Sequence, residues 1–182
     1  MGHLAAAHVV RDTMGLDRVD FLVANDPWQK SSDRVVTPAA VRFEMVQAMV
    51  EGHDGLGVDG REIRRGGLTY TVETLEELAA EQPETDIFLI VGQDTASRLG
   101  TWHRYEEVLA LSTLVIVNRD GNSAHLPEVL PGARVQNVSI PAVDVSSTQI
   151  RSAVASDEEI TGLTPDAVVS VIRRLGLYGA TA

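Results

Sequence analysis

The chain contains no cysteine, so disulfides, thiolate catalysis and cysteine-ligated metals are excluded together. Positive charge is scarce as well. Fifteen Lys and Arg face 26 Asp and Glu, for a formal net charge of -11, and Lys30 is the only lysine. A general nucleic-acid surface needs cations clustered over a broad face, so no nucleic-acid partner is expected. A small anionic ligand remains compatible, because the potential at a cleft is set by its nearest charges. Also missing are an apolar run of eighteen residues, a low-complexity tract, and a basic leader followed by an apolar stretch. These absences argue against a membrane span, disorder and a secretory signal. With 182 residues, 44% of them hydrophobic, the expectation is a cytoplasmic, soluble globule of about one domain. Its oligomeric state is left open.

What is present is alternation. Short apolar runs follow stretches of helical periodicity, the pattern of strand-helix repeats around a parallel sheet. "VDFLVAN" (19–25) reads as a strand. In "TPAAVRFEMVQAMVEG" Thr37 is the expected cap, Pro38 the first helical position, and Gly52 the end. "LGVDGREI" (56–63) reads as a weaker strand, and "RRGGLTYTVETLEELAAEQP" sets a glycine pair before a helix that Pro83 terminates. "DIFLIVGQD" (86–94) is continuous and apolar, as a strand buried on both faces should be, with Asp94 at its carboxyl end. A helix over "RYEEVLALS" and strands over "TLVIVNRDG" and "RVQNVSIP" follow, and then two consecutive helices, "SSTQIRSAVAS" and "TPDAVVSVIRRLGLYG". The predicted architecture is an α/β, doubly wound, Rossmann-like parallel sheet over 1–144 with a small C-terminal helical subdomain over 145–182.

Two stretches raise chemical questions. "MGHLAAAHVVRDTMG" (1–15) starts on a helix with no strand before it, although a doubly wound sheet runs strand then helix, with ligands beyond the strand ends. Either the fold begins with a helix, or a strand and its phosphate-facing turn precede the given start. "VSSTQIR" (145–151) gathers hydroxyls, the free amides of a helix start, and Arg151 around one point, an arrangement suited to an anion. The competing reading is an ordinary N-cap beside a surface arginine.

At these residues the sequence resembles the bacterial nicotinate mononucleotide adenylyltransferases, within the wider nucleotidyltransferase superfamily. Ser146, Ser147, Thr148, Ile150 and Arg151 match that family's S-S-T-x-I-R signature, and "NDPWQK" (25–30) is similar to its N-P-W-Q-K loop with one Asp added or exchanged. "TYTVETL" (69–75), "VGQD" (91–94), "LGTWHRYEEVL" (99–109) and "GLYG" (176–179) resemble further family segments in the family's order. The family begins with a strand running into G-G-T-F-D-P-x-H-x-G-H, of which only Gly2 and His3 are matched. The resemblance therefore implies a given start downstream of that strand and turn.

It also implies a reaction. The 5'-phosphate of nicotinate mononucleotide attacks the α-phosphorus of ATP, releasing pyrophosphate and forming nicotinate adenine dinucleotide, with Mg2+ held mainly by phosphate oxygens and water. His3 and Arg151 are the implied catalytic residues, His3 beside the α- and β-phosphates, Arg151 with Thr148 on the β- and γ-phosphates. Ser147 adds a hydroxyl or amide there, and Lys30 a point charge. Trp102 is the implied stacking surface for the pyridine ring, with a buried structural role as the alternative. Tyr70 and Thr71 stand at a helix start whose amides would favour a carboxylate over a carboxamide, unless Thr71 only caps that helix. Asp94 is implied to accept from nucleotide hydroxyls, or else caps the next helix, and Arg119 serves phosphate or ribose. His8, His53, His103 and His125 lack ligand spacing and read as structural or solvated. Competing functions are a phosphopantetheine adenylyltransferase, an inactive mononucleotide-binding remnant, and a flavodoxin-like FMN domain.

Overall fold

A computed structural model of the chain describes residues 2–26, 36–119 and 132–179. They form two compact units, Met1–Leu68 with Ala142–Ala182, and Thr69–Pro141. The boundary expected from the sequence fell instead between 144 and 145.

The first unit contains α1 (Gly2–Met14), β1 (Val19–Leu22), α2 (Ala39–Val50), β2 (Leu56–Asp59) and α3 (Arg61–Arg65), joined from the far end of the chain by α7 (Ser147–Ala155) and α8 (Asp166–Arg174). Strands β1 and β2 pair in parallel, from Val19 opposite Leu56 to Leu22 opposite Asp59. Helix α1 buries Leu4, Ala6, Ala7 and Val10, the stripe that a 3.6-residue period presents to a core. It ends as a Schellman turn: Gly15 takes φ +64, and the Leu16 amide donates to the Arg11 carbonyl at 2.9 Å. The C-terminal helices pack Ala153, Ile160, Val168, Val169 and Ile172 against Met45, Ala48 and Met49 of α2. Outside that apolar contact, Arg174 pairs with Glu44, and Arg173 meets Glu159 at 2.7 Å.

The second unit contains α4 (Thr71–Glu81), β3 (Phe88–Gly92), α5 (Gln93–Ala96), α6 (Tyr105–Leu111), β4 (Thr113–Arg119) and β5 (Val135–Ile140). Its three strands lie in the order β3-β4-β5, all parallel, with Val91 opposite Ile116 and Val117 opposite Val138. Parallel pairing fits the α/β class expected from the alternating pattern. The core collects Val91, Ala96, Leu99, Leu109, Leu114 and Ile116, with Val72, Leu75 and Val108 in a second cluster. Among the described residues no helix is long and apolar enough to cross a membrane.

Three local expectations are corrected. Thr37 does not cap α2; Pro38 occupies the N-cap position without a side-chain bond, and the Thr37 hydroxyl instead shares a 3.1 Å hydrogen bond with the Tyr178 hydroxyl. The weaker strand stops at Asp59, whose carboxylate accepts the Arg61 amide at 2.8 Å and turns the chain into α3. Arg64 and Arg65 lie in the last turn of that helix. Finally, the strand buried on both faces is β4, where Leu114, Val115 and Ile116 are fully buried. In β3 only Val91 is buried, while Phe88, Leu89 and Ile90 are half-buried, because among the described residues β3 pairs on one side alone.

Candidate active site

Of the ten residues singled out by the sequence, nine are described: His3, Ser147, Thr148 and Arg151 belong to the first unit, and Tyr70, Thr71, Asp94, Trp102 and Arg119 to the second. Lys30 lies outside the described residues.

In the first unit the S-S-T-x-I-R segment divides its labour. Ser146 is the N-cap of α7, in a capping box: its hydroxyl accepts the Gln149 amide at 3.1 Å, and the Gln149 side-chain oxygen accepts the Ser146 amide at 3.4 Å. The box fixes where the helix starts and satisfies the third helical amide. Ser147 and Thr148 are thus the first two helical positions, whose amides have no intrahelical carbonyl to meet. One turn on, Arg151 Nη2 donates to Thr148 Oγ1 at 3.2 Å. Ser147 and Thr148 are exposed and Arg151 is half-buried. The cap reading of this stretch is therefore realised in Ser146, and the residues after it carry the groups that the anion reading invokes. His3 is exposed on the first turn of α1.

In the second unit Tyr70 is the N-cap of α4 with no side-chain capping bond, and Thr71 is the first helical residue. Thr71 is therefore not the cap. The ring of Tyr70 lies 4.5 Å from that of His103, tilted by 43°. His103 stands in the turn between Trp102 and α6. Trp102 closes a 3-10 turn over Leu99–Thr101, its amide donating to the Leu99 carbonyl at 2.9 Å. It is half-buried, packed against the cluster around Leu99 and Leu109. One part of the indole serves the core and another stays accessible. Asp94 is exposed as the second residue of α5, after the N-cap Gly92, so it does not cap that helix. Its carbonyl accepts the Ser97 hydroxyl at 2.9 Å. Arg119 ends β4 opposite Ile140.

The structure adds residues that periodicity and motif matching passed over. Arg104 adopts a left-handed conformation (φ 52) and donates to Glu107 at 2.7 Å and Glu76 at 2.6 Å. These bonds hold its pKa above the ordinary arginine value, Glu107 contributing first and Glu76 next. A positive φ at a non-glycine residue was the one available hint, and it is invisible until the backbone is known. Arg42, half-buried on α2, donates to the Thr37 carbonyl at 2.9 Å and the Asn25 carbonyl at 2.8 Å. Burial lowers its pKa, against the attraction of Asp26 and Tyr178. His8 and His53, set apart from ligand patterns by their spacing, share a 3.0 Å hydrogen bond between α1 and the turn after α2.

Comparison with known proteins gives three findings. The Cytidylyltransferase-like family model matches residues 1–153. A "Probable nicotinate-nucleotide adenylyltransferase" of Corynebacterium kroppenstedtii is 40% identical over 97% of this chain and 84% of its own length. One of Streptomyces coelicolor, with the same name, is 38% identical over 97% of this chain and 93% of its own. Among solved structures, nicotinic acid mononucleotide adenylyltransferase of Plasmodium falciparum, complexed with NaAD, is similar with a TM-score of 0.75 at 14% identity. The match covers 97% of this chain and 89% of that one. At that identity the likeness establishes the fold alone.

Proposed function

This chain belongs to the cytidylyltransferase-like family and, within it, to the nicotinate-nucleotide adenylyltransferases, and from that membership we propose how its own residues carry the reaction. The reaction transfers adenylate from ATP to nicotinate mononucleotide. A phosphate oxygen of the mononucleotide forms a bond to the α-phosphorus, the bond from that phosphorus to the bridging oxygen breaks, and pyrophosphate leaves with the electron pair. The attacking phosphate is ionised at neutral pH, so no protein nucleophile is needed. Positioning and neutralisation of charge carry the catalysis.

The observation that carries the assignment of residues is the face formed by Ser147, Thr148 and Arg151 behind the Ser146 capping box. It offers the first amides of α7, the Thr148 hydroxyl and the Arg151 guanidinium to an anion, with Ser147 assigned to add a hydroxyl or amide, and the β- and γ-phosphates of ATP are the anions this reaction supplies. His3 is assigned to the α- and β-phosphates, and Lys30 to an added positive charge. The Mg2+ proposed for this reaction would be held mainly by phosphate oxygens and water, and would supply charge neutralisation at the leaving group. For the acceptor, the accessible part of Trp102 offers a flat surface to the pyridinium ring. The amides at the start of α4, uncapped by Tyr70, favour the nicotinate carboxylate. Asp94 is assigned to nucleotide hydroxyls and Arg119 to phosphate or ribose. Both substrates are soluble metabolites, in keeping with a cytoplasmic enzyme.

The test is pyrophosphate release with ATP and Mg2+, offering nicotinate mononucleotide, nicotinamide mononucleotide and phosphopantetheine in parallel. Release strongest with the nicotinate form is expected. Equal use of the nicotinamide form would sink the role given to the α4 amides, and preference for phosphopantetheine would overturn the acceptor.

A further inference from the structure

His103 looks at first like a solvated loop histidine, since it is exposed and has no ligand spacing. Its surroundings say otherwise. The turn that carries it, from Trp102 to Arg104, is fastened to α4 at two places. His103 lies on the ring of Tyr70, with centroids 4.5 Å apart, and Arg104 reaches Glu76 on the same helix at 2.6 Å. At the second fastening Arg104 takes a left-handed conformation (φ 52), and its guanidinium meets Glu76 and Glu107 together. Trp102 is anchored on its other side by the cluster around Leu99 and Leu109. The indole therefore stands at one end of a short strap, and the start of α4 at the other.

We propose that His103 is a positioning residue for the mononucleotide acceptor, its imidazole clamping Tyr70 so that Trp102 and the first amides of α4 keep a fixed spacing. The inference rests on the acceptor assignment made above and extends it to a residue that does not itself touch the reacting atoms. The imidazole acts as a flat ring in contact with a second ring, an arrangement whose attraction is short-ranged and tolerant of other aromatics. The phosphate-binding residues of α7 are not part of this strap, so its loosening acts on one substrate only. Binding a flat ring and a carboxylate at once depends on their separation, and a strap that wanders lowers the fraction of molecules ready for both.

The test compares wild type, His103→Ala, His103→Phe and Arg104→Ala in the pyrophosphate assay, with thermal unfolding recorded for each. His103→Ala is expected to raise KM for nicotinate mononucleotide about two- to tenfold, the range corresponding to loss of an aromatic pair, and to leave KM for ATP unchanged. His103→Phe restores the wild-type value, and Arg104→Ala shifts the same constant in the same direction. An unchanged acceptor KM in His103→Ala overturns the proposal, as does an equal rise for both substrates, or a His103→Phe variant as impaired as the alanine. A wild-type protein that releases no pyrophosphate with these substrates would instead overturn the acceptor assignment, and the role of His103 with it. Because the side chain is exposed, the substitutions are not expected to prevent folding.

Discussion

Arg42 donates to the carbonyl oxygen of Asn25 at 2.8 Å across 17 positions of sequence. The same guanidinium donates to the Thr37 carbonyl at 2.9 Å, so one side chain on α2 ties the two backbone positions that flank 26–36. The Thr37 hydroxyl continues the network to Tyr178 at 3.1 Å, in the turn after the last helix. Charged hydrogen bonds of this kind contribute roughly 1.5 to 3 kcal/mol each, and most where the group is partly withdrawn from water. Arg42→Ala is expected to lower stability by about 2 to 3 kcal/mol, read from urea unfolding midpoints. Arg42→Lys should recover little of this, since an ammonium at the end of a single stem cannot reproduce the fork that reaches both carbonyls. A lysine variant as stable as wild type would show that charge alone matters here.

At the start of α7 the prediction is kinetic. Arg151 is held to Thr148 at 3.2 Å on an exposed face, so its removal leaves the helix intact while deleting the guanidinium proposed above to meet the triphosphate. Arg151→Ala should raise KM for ATP or lower kcat by about 10- to 100-fold in kcat/KM, the equivalent of one charge-assisted hydrogen bond. The unfolding midpoint should barely move. Ser146→Ala is the counterpart: it breaks the capping box, costs about 1 kcal/mol of stability, and affects ATP through the helix start. If Ser146→Ala weakened ATP use as much as Arg151→Ala, with stability untouched, the cap and the anion face would have been assigned to the wrong residues.

Much of this was legible in advance, and the reasons differ from element to element. The helix boundaries at Gly52 and Pro83 are written in residues with local backbone constraints, and α2 and α4 end as those residues require. Parallel pairing followed from the alternation of short apolar runs with helical stretches. Burial of β3 did not follow, because an apolar run reports what a strand can bury and not how many neighbours it has. Thr37 was misread for a related reason: a threonine before Pro38 has the chemistry of a cap, but its hydroxyl found Tyr178, 141 positions away. Tyr70 with His103, and Arg42 with Asn25, belong to the same class of long-range partnerships that no periodicity encodes. The S-S-T-x-I-R segment shows a helix start in its sequence, but the sequence alone does not separate Ser146, which caps α7, from Thr148 and Arg151, which bond to each other one turn on.

Asp59 supplies a pH dependence. Burial pushes its carboxyl pKa up, but the hydrogen bonds from the Arg61 side chain and amide, with the charges of Arg61 and Arg64, outweigh this and hold it below the ordinary carboxylate value. Arg61 Nε approaches it at 2.5 Å with both side chains mostly buried. A lowered folded-state pKa means that the ionised form is stabilised by folding. The contribution is fully present above the unfolded-state value, near pH 4, and is lost as pH falls from there through the lowered one. Unfolding midpoints measured from pH 7 to pH 3 should therefore decline at the acid end. Asp59→Asn should start about 3 kcal/mol lower at neutral pH, because it removes the charge from one side of a mostly buried ion pair, and should lose less on acidification. A variant with the wild-type acid slope would assign that slope to other carboxylates.

Trp102 is asked to do two jobs, and its variants should separate them. The indole is half-buried against the cluster of Leu99, Leu109 and their neighbours, so Trp102→Ala removes packing as well as any stacking surface. A fully buried Trp would cost roughly 3 to 5 kcal/mol on truncation, and about half of that is expected for a half-buried one. Trp102→Leu keeps most of the packing while abolishing the aromatic face. If the accessible part of the ring receives the pyridine of the acceptor, Trp102→Leu should melt close to wild type yet raise KM for nicotinate mononucleotide about tenfold, consistent with loss of a stacked cationic ring, and leave KM for ATP unchanged. Should Trp102→Leu bind the acceptor normally while only Trp102→Ala is impaired, in proportion to its lost stability, the residue would be a core side chain and the stacking surface would lie elsewhere.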